Sequence, residues 1–340
     1  MAKGDHGVKI LTQSSVKDFH TCPRMYKYRY VRGLVPLMRS EALYFGAAVH
    51  DALEAWHGRY NDPPEVQDSI LAAFGDTSDD PILHERKLRT LAIINGYTCR
   101  YQQEDFEVVV LEKTIIGKIK GPGAQRASRN VRFCGKIDGL IKIDGEYWLM
   151  ENKTASRIDA AYLERIWTDF QIHIYAAILE KYYGIKLAGV LYNILAKCGI
   201  KFKKGETIQE YEIRLDALRK KNKYGTSNAV RRMPETDEQF MSRLAAFHAL
   251  PESYHREMIL LDHARQSAAL ENIAETWRLI RDSIRRSNFI QHNNSCANHY
   301  GKTCPYFPIC RANGSPLVID NEFKKEAPYQ ELNLQNGEIK

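Results

Sequence analysis

Two acidic residues and a lysine lie close together in the segment GKIDGLIKIDGEYWLMENK, residues 135–153. Asp138 stands on one strand-like run, and Glu151 and Lys153 stand on the next, after the turn pair Asp144-Gly145. A two-residue turn at this pair fixes the hairpin register, which places Asp138 opposite Glu151. Opposed carboxylates, with Cβ atoms roughly 4.5–5.5 Å apart, repel each other unless a cation lies between them. The segment therefore predicts a divalent-metal site.

Side-chain alternation along a strand puts Lys153 on the same face as Glu151. Leu140 should oppose Leu149 on that face, while Trp148 and Met150 fall on the other face, so both faces are expected to be covered in part. The alternative interpretation is a surface hairpin with solvated charges. The register and the apolar flanks favour a buried site.

The composition of the whole chain is that of a folded globular protein. Of its 340 residues, 44% are hydrophobic and 27% are charged, which argues against a disordered or fibrous chain. No uninterrupted apolar run is long enough to span a bilayer, so we expect a cytoplasmic protein with no membrane partner. The net charge of +7 suits a polyanionic partner without requiring one.

The order of predicted elements indicates how the hairpin is held. Helical patterns cover most of the first 105 residues, and three strands, a helix and a further strand follow between residues 106 and 200. This order predicts a mixed sheet flanked by helices, an α/β (α+β) arrangement.

Three further features accompany the hairpin: Gly46-x-x-x-His50 on an amphipathic helix, Gln171-x-x-x-Tyr175 on the helix after the second strand, and cysteines near both chain ends. In order and approximate spacing, these features resemble the RecB-like branch of the PD-(D/E)xK nuclease superfamily. The resemblance is to its iron–sulfur members, such as AddB-type, CRISPR-adaptation and viral exonucleases, and covers most of residues 14–310. It implies a restriction-endonuclease-like core with a helical N-terminal part and a C-terminal cysteine cluster.

The resemblance also implies a set of metal ligands. Neutral His50, Asp138, Glu151 and the backbone carbonyl of Asn152 would bind Mg²⁺ or Mn²⁺, because such ions prefer hard oxygen ligands. With Asp138 and Glu151 as catalytic carboxylates, Lys153 would hold the attacking water or stabilise charge on the phosphate. A histidine such as His50, taken alone, is more often a residue of a helix surface.

Gln171 and Tyr175 lie four residues apart, on one face of a helix, and the resemblance implies that they contact DNA lying across the site. A Q-x-x-x-Y pair is common, and alone it indicates nothing. Its position after the E-x-K strand gives it weight here.

Four cysteines, Cys22, Cys296, Cys304 and Cys310, form a second group. In a reducing compartment they are better interpreted as metal ligands than as disulfides, and the resemblance implies a [4Fe-4S] cluster. Zinc is the alternative, although paired C-x₂-C knuckles are missing. The family usually shows C-x₂-C-x₅-C at this end, whereas the first gap here is seven residues, so Cys296 is the least secured ligand.

A basic stretch follows the last predicted strand of the central segment. We expect these cations to contact DNA phosphates and to gain affinity from the release of counterions, although charge runs are commonly solvated loops. The residues concerned are Lys220, Lys221, Lys223, Arg231 and Arg232.

Together these features predict a Mg²⁺- or Mn²⁺-dependent deoxyribonuclease, an exonuclease that acts on single-stranded DNA or DNA ends in recombination, repair or replication, with a recombination or replication protein as a further partner. Two alternatives stay open: a non-cutting DNA-binding subunit of a recombination or CRISPR-related complex, and an RNA-directed nuclease of the same fold. The expected parts are a helical N-terminal part (1–105), the nuclease core (106–200), the basic insertion (201–250), a C-terminal strand, long helix and cysteine cluster (251–311), and a tail (312–340).

Overall fold

The computed structural model describes residues 8–37, 41–60, 62–120, 126–297 and 303–332. Its centre is one mixed sheet in the order β1-β4-β5-β6-β7, with β3 on the other edge of β4. The pairs β1–β4 and β5–β6 are parallel, and β3–β4, β4–β5 and β6–β7 are antiparallel. The strands of this sheet are β1 (Lys9–Leu11), β3 (Glu107–Lys118), β4 (Val131–Ile143), β5 (Glu146–Ala155), β6 (Leu187–Ala196) and β7 (Tyr254–Leu260).

Two short strands, β2 (Leu34–Pro36) and β8 (Phe323–Lys325), form a separate antiparallel pair. The helices of the described residues are α1 (Gln13–Thr21), α2 (Pro23–Tyr26), α3 (Glu41–Ala55), α4 (Pro63–Phe74), α5 (Pro81–Arg100), α6 (Ala160–Ile166), α7 (Phe170–Tyr183), α8 (Ile208–Lys221), α9 (Asp237–His248), α10 (His263–Arg285), α11 (Phe307–Arg311) and α12 (Pro316–Glu322). Single π-helical turns continue α2 and α3, at Lys27–Val31 and Trp56–Tyr60.

Apolar side chains bury both faces of the central sheet. On one face, β-strand residues such as Leu140 and Leu149 pack in a core with apolar residues of α1, α7 and α10. Trp148 and Met150 belong to a separate cluster, as alternation requires. The predicted mixed α/β fold with flanking helices is confirmed.

The hairpin that joins β4 and β5 turns as its sequence predicts. Asp144 and Gly145 both adopt positive φ, at 51° and 83°, which is the geometry of a type I′ turn. Ile143 therefore pairs with Glu146, and the ladder runs back to Gly139 and Met150.

Two stretches differ from what the sequence suggests. The helical pattern after β5 is interrupted: α6 ends at Ile166, and α7 begins after Asp169, which caps it by accepting the N–H of Gln171 at 2.9 Å. Within residues 201–250, α8 has no buried residue, whereas α9 packs Phe240 and Leu244 against Leu88 and Ala92 of α5. Only part of this segment is therefore a solvent-exposed insertion.

The C-terminal segment is packed against the N-terminal part of the chain. Phe323 and Ile319 lie in a small apolar core with Tyr28, Leu34 and Tyr306. None of the helices in the described ranges combines the length and the apolar composition that a membrane crossing requires.

Candidate active site

Asp138 lies where β4 separates from β5. The ladder between these strands ends at Gly139 and Met150, and β4 pairs with β1 at Phe133. One step beyond the ladder, Oδ2 of Asp138 accepts the backbone N–H of Asn152 at 2.6 Å. The side chain thus joins the two strands where their backbones no longer pair, next to Glu151 on β5.

Glu151 is buried, with 1% of its surface exposed, and its two carboxylate oxygens differ in their hydrogen bonds. Oε1 accepts hydrogen bonds from Nζ of Lys153 and, at 2.7 Å, from Nε2 of Gln171. Oε2 is buried and makes no hydrogen bond with the described part of the chain. A buried carboxylate oxygen is costly without a partner, so this free ligand atom fits a bound cation.

Burial and neighbouring charges set the protonation of this group. Burial raises the pKa of Glu151 to about 7, although the Lys153 charge opposes the shift. Burial works to raise the pKa of Asp138 too, but the hydrogen bond and charge of His50 outweigh it and leave that pKa lowered. Burial alone would lower the pKa of Lys153, yet the Glu151 and Asp138 charges leave it raised, so the amine stays an ammonium.

His50 and Glu112 complete a second group of ligand atoms around Asp138. Nδ1 of His50 lies 3.4 Å from Oδ1 of Asp138, and ligand atoms of His50, Glu112 and Asp138 all lie within 4.8 Å of one another. Burial acts to lower the pKa of His50, but Asp138 leaves it raised, so binding a metal through this ring would release a proton.

Glu112 is the residue that sequence reasoning missed. It stands on β3 between the pairs Leu111–Gly139 and Lys113–Ile137, directly across from Asp138, and has a positive φ of 48°. Burial raises the pKa of Glu112, and an ion pair with Lys136 opposes that shift. The connection between β3 and β4 is too long to fix a register from the sequence, so nothing in the sequence places Glu112 across from Asp138.

Gln171 and Tyr175 lie on one face of α7, as predicted, but in different surroundings. Gln171 bonds to Glu151 and lines the open side of the site. Tyr175 is buried, with 6% of its surface exposed, and packs edge-on against Phe133. Its ring also covers Gly135, where an added Cβ would lie 2.5 Å from the ring carbon Cε1.

A buried network of hydrogen bonds holds the side chain of Asn152. Asn193 on β6 donates from Nδ2 to Oδ1 of Asn152 at 2.8 Å and to the Tyr97 hydroxyl at 3.0 Å. Arg256 on β7 donates to the same hydroxyl at 2.8 Å and forms an ion pair with Glu104 at 2.7 Å. The residue between Glu151 and Lys153 is thereby tied to α5, β6 and β7.

Comparison with known protein families agrees with this geometry. A family model described as "PD-(D/E)XK nuclease superfamily" matches residues 10–311. The chain belongs to the PD-(D/E)XK nuclease superfamily. Nucleases of this superfamily use divalent metals, and the carboxylates around Asp138 offer an acidic site of the kind such a metal binds.

Two solved structures are distantly similar to this superfamily member. The alignment with the crystal structure of SSO0001 covers 82% of this chain and 79% of that protein, at 11% identity and a TM-score of 0.32. The alignment with a candidate exonuclease from Eubacterium rectale covers 85% of this chain and 86% of that protein, at 11% identity and a TM-score of 0.43. A search of curated proteins returned no match.

The four cysteines of this PD-(D/E)XK chain line one small cavity, between the end of α1 and the C-terminal segment. All four are free thiols. Burial raises the pKa of Cys304, and the other three cysteines add to that shift. Cys296, whose sequence spacing departs from the family pattern, also lines this cavity. Its carbonyl accepts the N–H of Cys304 at 2.8 Å.

Several contacts fasten the two chain ends around this cavity. The backbone N–H of His292 donates to Sγ of Cys22 at 3.5 Å, and Oγ of Ser295 donates to the carbonyl of Thr21 at 2.8 Å. Arg24 donates to Oε1 of Gln291 at 2.5 Å. Four thiols that line one cavity, with a backbone donor beside one sulfur, supply the ligand types of a tetrathiolate metal group.

The basic residues of the insertion surround α8, and several are already engaged. Lys220 forms an ion pair with Asp216 at 2.7 Å, and Nε of Arg231 donates to the carbonyl of Glu206 at 2.9 Å. Arg232 lies 3.8 Å from the Glu206 carboxylate. Lys221 and Lys223 are exposed, and neither makes a salt bridge within the described ranges.

Proposed function

We propose that this chain is a Mg²⁺- or Mn²⁺-dependent deoxyribonuclease that hydrolyses phosphodiester bonds. The observation that carries the proposal is the buried Glu151 carboxylate beside Asp138. Its Oε1 accepts hydrogen bonds from Lys153 and Gln171, and its Oε2 has no partner among the described residues. A charge arrangement of this kind is costly in a protein that only needs to fold. It is useful where a cation and a phosphate must meet.

The proposed metal ligands are His50, Asp138, Glu151 and the backbone carbonyl of Asn152, with Glu112 as an additional carboxylate. When bound there, a divalent cation lowers the pKa of a water molecule and neutralises charge on the scissile phosphate. Asp138 accepts the backbone N–H of Asn152, which restrains the residue whose own carbonyl is the proposed ligand.

Lys153 has an electrostatic function in this proposal. Its raised pKa keeps it an ammonium, so it donates hydrogen bonds to the attacking water or to a phosphate oxygen rather than accepting a proton. Water attacks phosphorus, one phosphoester P–O bond breaks, and negative charge builds on the phosphate oxygens. The ammonium lies beside Glu151, where it can stabilise that charge.

Gln171 positions Glu151 through its side-chain amide, and Tyr175 supports α7 from the buried side. DNA contact by Gln171, which lies on the accessible side, is part of the proposal, whereas the buried Tyr175 acts only through α7. Lys220, Lys221, Lys223, Arg231 and Arg232 form a proposed second DNA surface, in which Lys221 and Lys223 have the least competition from carboxylates.

The cysteine cavity is proposed to hold a [4Fe-4S] cluster. Cys22, Cys296, Cys304 and Cys310 supply the four ligands that such a cluster requires, and zinc is the competing occupant. Its function would be structural, since ligands from both chain ends couple binding to folding. Exonuclease action follows from the resemblance to cluster-bearing nucleases, which commonly degrade strands from their ends.

Digestion of end-labelled DNA tests the function. Purified protein with Mn²⁺ or Mg²⁺ should shorten linear single strands progressively, spare circular single strands, and be inactive with EDTA. Asp138→Asn and Lys153→Met should each lower the rate by about 10²-fold or more. Asp76→Asn, a change of an exposed acid away from the site, is the matched control and should keep full activity.

The outcomes separate the alternatives. Cleavage of circular strands would overturn the exonuclease assignment, and equal cleavage of RNA would overturn the preference for DNA. A folded, metal-binding protein that binds DNA without cutting it would indicate a structural subunit. Full activity in both site variants would remove these residues from the mechanism.

A further inference from the structure

A cavity of about 490 Å³ opens directly beside the proposed catalytic lysine. Its walls come from the first turns of α1 and α7 and from α6, and they continue into the site through Lys153 and Gln171. The volume lies within the range of pockets that hold small organic ligands. The cavity is therefore large enough for a group that extends from the scissile phosphate.

The charges on the cavity wall favour an anion. Lys17, Lys153 and Arg165 contribute three cations, and neither Lys17 nor Arg165 makes a salt bridge with a carboxylate of the described residues. The one acid, Asp169, is engaged, since it accepts the N–H of Gln171 at 2.9 Å and the hydroxyl of Tyr192 at 2.8 Å. Because Lys153 is paired with Glu151, Lys17 and Arg165 supply the excess positive charge of the wall over the Asp169 carboxylate.

The starts of two helices add to this field. Gln13 and Ser14 open α1, and Phe170 and Gln171 open α7, and all four residues line the cavity. Helix N-termini carry partial positive charge and attract phosphate groups. Both helix starts therefore lie at the cavity wall, where Asp169 caps α7.

Other atoms of the wall suit a base and a sugar. Phe170 lines the cavity and has 46% of its total surface exposed, and the Arg165 guanidinium lies 5.1 Å from the centre of the Tyr162 ring. Oε1 of Gln13 is buried and has no hydrogen-bond partner among the described residues, so it offers an acceptor to a ligand. Aromatic faces stack on bases without regard to sequence.

We propose that this cavity binds one nucleotide of single-stranded DNA next to the scissile phosphate, an inference that rests on the proposed nuclease function. The phosphate lies against Lys17 and Arg165, and the base stacks on Phe170. A base inside a duplex is paired and stacked on both sides, so it cannot enter a cavity of this kind. The site therefore selects a single strand or an unpaired end.

Metal-free binding separates this subsite from catalysis. The full-length protein in EDTA is titrated against a fluorescein-labelled dT₁₂ and against a labelled 12-bp duplex, with anisotropy as the readout. Phe170→Ala should weaken binding of dT₁₂ about fivefold or more and leave the duplex unchanged. Arg165→Gln and Lys17→Gln should each reduce the slope of log K against log salt for dT₁₂ by about 0.7.

Arg278→Gln is the control, because this exposed arginine on α10 pairs with Glu275 away from the cavity and should bind dT₁₂ as the wild type does. Wild-type dT₁₂ affinity in all three cavity variants would overturn the proposal, and so would equal loss of duplex binding in Phe170→Ala. Failure of the nuclease function looks different: the wild type would not cut DNA with Mn²⁺, while the binding difference among variants persisted.

Discussion

The carboxylate of Asp138 accepts the backbone N–H of Asn152 at 2.6 Å, at the point where the strands that carry these residues stop pairing. The Asp138 side chain thus replaces a ladder hydrogen bond next to the buried Glu151. Because its other oxygen lies 3.4 Å from His50, Asp138 links the hairpin to α3. The proposed metal site depends on this link.

Loss of the Glu112 carboxylate should weaken metal binding. Glu112→Gln keeps the size of the side chain but removes one of the negative charges that face Asp138, so we expect the Kd for Mn²⁺ to rise about tenfold or more. Calorimetric titration of the metal-free protein measures it. Glu107→Gln, a change of an exposed acid on the same strand, should leave the Kd unchanged. An unaltered Kd in Glu112→Gln would exclude Glu112 as a ligand.

Replacing one cavity cysteine should abolish the proposed cluster. Anaerobically purified wild type should be brown and carry about four irons per chain, whereas Cys22→Ser should be colourless and less resistant to denaturant. Visible absorption and metal analysis measure both. Cys99→Ser, which changes an exposed thiol on α5, should keep the colour. Colourless wild type with one zinc per chain contradicts the iron–sulfur assignment.

Stability should fall in mild acid because of His57. Burial, together with the Arg256 charge, lowers the pKa of this histidine to about 3, while an unfolded histidine titrates near 6.5. Below pH 6.5 the unfolded chain takes up a proton that the folded chain excludes. The contribution is therefore present above pH 6.5 and lost as the pH falls toward 3, with about 2 kcal/mol lost at pH 5.

Urea unfolding at pH 7.5 and pH 5 checks this contribution. His57→Gln cannot titrate, so its free energy of unfolding should change less between the two pH values than that of the wild type. If the two proteins show the same pH dependence, His57 is not a source of acid sensitivity.

The contact between Gly135 and Tyr175 should tolerate no added methyl group. A Cβ at residue 135 would lie 2.5 Å from the Tyr175 ring, so Gly135→Ala should destabilise the protein by about 1–3 kcal/mol. Gly199→Ala is the matched control, since its added Cβ would have no atom within 4 Å beyond its own residue and its two chain neighbours. Thermal unfolding distinguishes them, and equal Tm values for both variants would show that α7 shifts to accommodate the methyl group.

Local sequence determined much of the hairpin and of its surroundings. Asp144-Gly145 favours positive φ at two successive residues, which leaves one register for β4 and β5 and so places Asp138 one residue beyond the last ladder pair, Gly139–Met150. Alternation then assigns Leu149 and Met150 to opposite faces. These predictions succeed because turn geometry and side-chain direction act over a few residues.

Only the tertiary structure decided which distant groups join the hairpin. Glu112 reaches Asp138 across a β3–β4 connection whose length sets no register, and the cavity beside Lys153 exists only because α1 and α7 begin at the same place. Nothing local to Glu112 or Lys17 marks either residue for a site. Such contacts are selected by the packing of the whole sheet and its helices, where burial over many residues outweighs any local preference.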